Sequence, residues 1–221
     1  MKNLLGTHDK LIIIGASGHG KVIADIALKI NRWQEIVFLD DDESKNQSMS
    51  INVIGKSTEV YRFIKNYDIF VGIGNNGIRE KIQEKLEIEG AIIPVLVHPQ
   101  AVIGEQVELG SGTVVMAGAV INCCTKIGKG CIINTGATID HDNLIDDFVH
   151  VSPGAHTGGT VSIGKRTWLG IGSIISNNVK IINDCKIGAG AVVVKDITET
   201  GTYVGVPVRK IEYREHQRKD D

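Results

Sequence analysis

The triplet Asp140-His141-Asp142 is the arrangement in this 221-residue sequence best suited to moving a proton. A carboxylate beside an imidazole favours the protonated ring and orients it, so the neutral form becomes a stronger base. A base so placed typically contributes about 10²–10⁴ in rate to a transfer reaction. The competing reading is a solvated histidine among acids at a surface corner. His150 by itself reads as a solvent-facing ring, His98 as solvated or structural, and His156 as structural. His8 and His216 fall toward the two ends, where a mobile chain is expected.

A second group of residues could hold an anion. Lys10 to Ile14 is a short apolar run, followed by GASGHGK and then by Val22, Ile23, Ile26, Ala27 and Ile30 at helical spacing. Strand, glycine turn and helix follow from this pattern. Backbone N–H groups at such a helix start bind phosphate. Gly15 to Lys21 fits GxxxxGK, but Val22 stands where a magnesium-binding hydroxyl is needed, which argues against a nucleoside triphosphatase. The glycines run GxxGxG rather than GxGxxG, which argues against a dinucleotide site. A tight turn without any ligand is the plain alternative.

The elements that must carry these groups differ between the two halves. Apolar runs at Glu35 to Leu39 and Ile69 to Ile73 end in Asp40-Asp41-Asp42 and Gly74-Asn75-Asn76, and helical patterns span Ser57 to Asn66 and Gly77 to Glu89. The alternation predicts a small Rossmann-like α/β domain with a parallel sheet, taken as residues 1–95, with Asp40 and Asp41 at the carboxyl edge where ligands collect. From residue 96 the rhythm changes. Every sixth residue from Val97 to Val193 is aliphatic, with Thr157 the one break. A smaller residue stands four places after most of them, as at Ala101, Val107, Thr113, Ala119, Thr125, Cys131 and Ala137, then Val149 and Ala155.

A coil of three short strands produces that period, with one hexad per flat side. The aliphatic points inward, and each buried Ile or Leu contributes roughly 1.5–3 kcal/mol of transfer free energy. Glycine commonly follows the aliphatic, as in IGEQ, IGKG, IGKR and IGAG, and is assigned there to backbone conformations costly for other residues. A β-sandwich or a right-handed solenoid would not keep one six-residue phase for so long. Residues 96–221 are therefore taken as an all-β solenoid domain, with Glu212 to Asp221 as a solvated tail. His141 stands two places past inward Ile139, in the outward part of its hexad.

Composition limits the remaining choices. Net charge is −2 and the basic residues are dispersed, which excludes a counterion-releasing nucleic-acid face. The apolar run before the first glycines is too short for a signal peptide, and no stretch reaches the roughly 20 apolar residues of a membrane span. A cytoplasmic chain is expected. Its four cysteines show no CxxC pair, so no metal site is predicted and reduced thiols are the default.

The hexad signature resembles that of the hexapeptide-repeat acyltransferases, which implies a left-handed β-helix, an exception to the usual crossover hand. GASGHGK, FLDDD, VGIGNN, NTGATIDHD and YVGVPVRKI together look like the bacterial sugar-nucleotide acetyltransferases of the PglD type, with the sialic acid O-acetyltransferases as relatives. That resemblance implies acetyl-CoA as donor, the 4-amino group of a UDP-, dTDP- or GDP-linked 4-amino-4,6-dideoxy sugar as acceptor, and a homotrimer with active sites between subunits. It assigns Ser17, Gly18, His19, Asp40, Asp41, Gly74 and Asn75 to the nucleotide sugar, His141 as base, Asp142 as the residue that raises its basicity, and Asn134 as a companion near the amine. It assigns His150, Gly159, Ile171, Ala189, Gly205 and Pro207 to coenzyme A. Gly158 and Gly159, beside the break in the aliphatic series, permit close approach of backbone to ligand. Many members have Glu in place of Asp142, and Gly in place of Ala189. Sugar O-acetylation and a silent hexapeptide-repeat binding module are the alternatives, while the absence of a helical N-terminal region argues against a serine acetyltransferase.

Overall fold

The computed structural model describes residues 7–211, so His216 and the tail read as solvated lie outside the described residues. Strands β1 (Lys10–Ile14), β2 (Glu35–Leu39), β3 (Gln47–Ser48), β4 (Ile51–Asn52) and β5 (Asp68–Val71) and helices α1 (Gly18–Ile30) and α2 (Asn76–Ile88) form the first half. β1 lies between β2 and β5 in a three-stranded, all-parallel sheet. Covered on both faces, β1 is apolar without alternation. Its Leu11 and Ile13 pack on the α1 side, and Ile12 and Ile14 on the other.

Two local readings are corrected, and one element had no sequence signal. The helical pattern from Ser57 is a short 3-10 turn ending at Arg62, and the small antiparallel hairpin of β3 and β4 carries no strand-like run that periodicity could detect. His8 is held rather than mobile, because its Nδ1 lies 3.1 Å from the buried Asp68 carboxylate, which also accepts from Trp33 Nε1 at 2.8 Å.

From Leu96 the chain winds into a left-handed, three-sided parallel β-helix. Face 1 begins with Leu96–Val97, face 2 with Val102–Ile103 and face 3 with Glu108–Leu109, and each coil stacks in register on the next. The inward aliphatics and their smaller companions, from Val115 to Ile197, form one continuous buried column. The glycine after the aliphatic has a different cause from the one expected. It does not adopt positive φ; a Cβ on Gly128 would come within 2.7 Å of the backbone N of Asp147 in the next coil. The left-handed corner position lies two residues further on and is filled by Gly130, Gly136, Cys124, Asp142 and others.

The two halves share a core. Outward Leu96, Val114 and Ile132 of face 1 pack with Ile23, Ala24, Ile26 and Ala27 of α1. Helix α2 runs along the 3/1 edge, anchored by Glu87 to Lys129, by Gln83 to the carbonyl of Ser111, and by Glu80 to Lys165 and Arg166. No helix among the described residues is long and apolar enough to cross a membrane.

Candidate active site

His141 stands on the 2/3 edge, between the strands Thr138–Ile139 and Leu144–Ile145. The corner puts Asp142 in the left-handed region at φ 57°, and its Oδ2 lies 2.7 Å from His141 Nδ1. That bond pushes the imidazole pKa above its ordinary value, outweighing slight desolvation, and Asp140 adds to it. With Nδ1–H donated to Asp142, Nε2 keeps a lone pair toward solvent. The ring is 52% exposed and lies over Gly159, where a Cβ would come within 2.6 Å of its Cε1 and Nε2. A groove of about 570 Å³ runs beside it, lined by Gly158, Gly159, His156, Ser176 and Asn177.

The loop carrying His141 is fixed from inside the prism. Asn143, fully buried, donates from Nδ2 to the carbonyls of Asp140 (2.8 Å), His141 (3.1 Å) and Gly158 (2.9 Å). Sequence reading missed this residue, yet its signal was present: Asn143 interrupts the series of small fillers in the very coil that bears His141.

A second site lies at the carboxyl edge of the N-terminal sheet. Ser17, His19, Asp40, Asp41 and Gly74 line a cleft of about 460 Å³, and Gly18 opens α1 beside it. Asp40 Oδ2 accepts from Ala16 N at 2.6 Å and Oδ1 from Asp42 N at 2.9 Å; burial would raise its pKa, and these N–H groups hold it low. Asp41 accepts from Ser57 N and Oγ, both at 2.9 Å. The Ser17 hydroxyl does not cap α1 and instead accepts from Lys45 Nζ at 3.0 Å.

Gly74 also lines a neighbouring cleft of about 620 Å³ between the start of α2 and face 1, with Asn75, His150, Trp168 and Lys186. There His150 Nε2 lies 3.1 Å from Asn134 Nδ2, and the ring stacks on Trp168 with centroids 5.9 Å apart. Trp168 Nε1 is tied to Ser152 Oγ at 2.6 Å. Burial, with the charge of Arg79 added, pushes His150 down to about 3 and His19 down to about 4, so both are neutral near pH 7. Trp168 was also missed; a rare aromatic in an outward slot was its signal.

The expected residues thus fall into separate places within one chain. The group at the sheet edge, Asn75 and His150 line two neighbouring clefts that share Gly74, and Asn134 joins them through its bond to His150. Ile171 and Ala189 lie on the 1/2 edge higher up, and Gly205 and Pro207 in the closing turn, where the carbonyl of Gly205 accepts from Val192 N. His141, Asp142 and Gly159 occupy the corner opposite face 1, with the full prism between them and the docked N-terminal layer. Asn134 bonds to His150 and not to His141 of its own chain.

Residues 10–86 match the PglD N-terminal domain family. The acetyltransferase domain of PglB from Neisseria gonorrhoeae FA1090, solved with acetyl coenzyme A, is 40% identical over 93% of this chain and 100% of that one, with a TM-score of 0.90. PerB from Caulobacter crescentus, solved with CoA and GDP-perosamine, is 33% identical over 92% of this chain and 97% of that one, with a TM-score of 0.87. GDP-perosamine N-acetyltransferase of Escherichia coli O157:H7 is 28% identical over 145 residues; the match spans 65% of this chain and 65% of that enzyme's length.

Proposed function

The chain belongs to the PglD-type hexapeptide-repeat acetyltransferases, and on that premise we propose that it transfers the acetyl group of acetyl-CoA to the 4-amino group of a nucleotide-linked 4-amino-4,6-dideoxy sugar. The observation that carries this reading is the 2.7 Å pairing of His141 with Asp142 on an open edge, over a glycine that leaves room for the ring. A sugar ammonium has no lone pair for attack. His141 Nε2 accepts its proton, Asp142 stabilises the imidazolium, and the amine nitrogen attacks the thioester carbonyl. That attack forms the C–N bond, collapse of the tetrahedral adduct breaks the C–S bond, the second proton shed by nitrogen goes to the departing coenzyme A sulfur, and the imidazolium gives up its proton to solvent.

The nucleotide sits at the carboxyl edge of the parallel sheet, with phosphate at the start of α1 and Asp40 and Asp41 beside the sugar-nucleotide. Gly74 joins this cleft to the one containing His150, so the sugar reaches out along face 1. Since His141 is on the opposite corner, a second copy must bring its 2/3 edge against face 1. Coenzyme A then runs in that seam, touching Gly159 of one copy and His150, Ile171, Ala189, Gly205 and Pro207 of the other. A closed homotrimer provides three equivalent seams.

The test is thiol release from acetyl-CoA with UDP-, dTDP- and GDP-linked 4-amino-4,6-dideoxy sugars. One of them is expected to be acetylated at nitrogen. No release with any of the three, or a clear preference for a sugar hydroxyl such as that of a sialic acid, removes the proposal.

A further inference from the structure

Arg79, on the first turns of α2, is 1% exposed, and no carboxylate is among its hydrogen-bond partners. Its Nε donates to the carbonyl of Gly130 at 2.7 Å, Nη1 to those of Ile73 (3.0 Å) and Gly74 (3.1 Å), and Nη2 to Asn76 Oδ1 (2.8 Å) and the carbonyl of Phe148 (3.2 Å). All five guanidinium donors are used. Asn76 extends the link, donating from Nδ2 to the carbonyl of Arg166 at 2.9 Å. One buried side chain and its neighbour thereby tie the loop 73–76 to three successive coils of the solenoid.

A buried charge held only by neutral dipoles is costly, and a docking role alone does not account for it. Helix α2 already has three anchors on the same edge, through Glu80, Gln83 and Glu87. What Arg79 adds is the orientation of the loop carbonyls at Ile73 and Gly74. That loop borders both clefts, Gly74 lining each.

Resting on the activity proposed above, we infer that Arg79 is a positioning residue for the acceptor: with Asn76 it fixes the loop 73–76 against the solenoid edge and so sets the distance between the nucleotide cleft and the His150 face. The placement of its charge agrees with this role, since it adds to the burial that keeps His19 and His150 neutral. Lysine replaces it only in part, because an ammonium has three donors for five acceptors.

The experiment compares Arg79→Gln, Arg79→Lys and Asn76→Ser with the wild type in steady-state kinetics. Arg79→Gln and Asn76→Ser are expected to raise KM for the nucleotide amino sugar about tenfold or more while KM for acetyl-CoA stays within about twofold, with Arg79→Lys in between. Partial unfolding would lower the apparent kcat without moving either KM, and a general distortion of the site would raise both. An unchanged sugar KM, or an equal rise in both, overturns the inference; if Arg79→Gln fails to fold, Asn76→Ser decides. Calorimetric titration of the same proteins with UDP, dTDP and GDP reads the inference even if no acetyl transfer is found. Weaker nucleotide binding in the variants supports it, whereas equal binding, or no binding by the wild type, overturns it.

Discussion

His141 and His150 are close in sequence and opposite in setting. His141 is half-exposed between two acidic residues, and its hydrogen bond to Asp142 makes the protonated ring more stable. His150 is half-buried against Trp168 and Asn134, and desolvation with the nearby Arg79 charge pushes its pKa down to about 3. The first setting suits a group that collects a proton. The second suits one that keeps a fixed hydrogen-bonding face while substrates come and go. Because a half-turn of the prism separates them, the solenoid presents the two histidines on different sides, and in the proposed function their meeting falls to a second copy.

The largest expected effect comes from removing the proposed proton acceptor. His141→Ala lowers kcat about 10²–10⁴-fold with unchanged thermal unfolding; a loss under threefold breaks the contrast between the two histidines. Sharper still is a mixing test. If His141→Ala and His150→Ala chains, each at least tenfold impaired, are co-expressed in equal amounts, about a quarter of the sites in randomly mixed oligomers regain both histidines from different copies. No recovery in the co-purified mixture means that each chain supplies both groups itself.

Asp142→Asn removes the charge that favours the imidazolium. Since the His141 pKa is raised by that bond, its loss moves the acid limb of the kcat profile to lower pH and lowers the plateau about tenfold. An acid limb that moves upward contradicts the assigned role. Gly159→Ala places a methyl group where the imidazole lies, so a few-fold loss in kcat is expected from a displaced ring, with little change in stability. The smallest effect is a silence: in an NMR titration from pH 5 to 9, His141 titrates above its ordinary value of about 6.5 while the His150 resonances stay still.

The solenoid was legible because its rule is local and repeated. Each hexad states one inward aliphatic, each coil buries the next, and a period of six over many rungs has no helical or simple strand reading. The α/β order of the first half was legible from Lys10–Ile14 and Glu35–Leu39 for a similar reason, since buried parallel strands are apolar throughout. His141 with Asp142 could be singled out because the bond joins adjacent residues. Asn143 was visible only as a missing filler, since its role depends on the carbonyls of Asp140, His141 and Gly158 closing around one amide.

What the linear order settled by itself is therefore the repeat, the inward column and the neighbouring acid–base pair, all written within a few residues of one another. What required the folded molecule is everything carried by residues far apart in the chain. Arg79 reaches Gly130 and Phe148 only after α2 lies on the 3/1 edge, and Leu96, Val114 and Ile132 become core only when α1 covers face 1. Outward slots on a solenoid all follow one pattern in sequence; which of them are buried, neutralised or left open is decided by the layer that docks there.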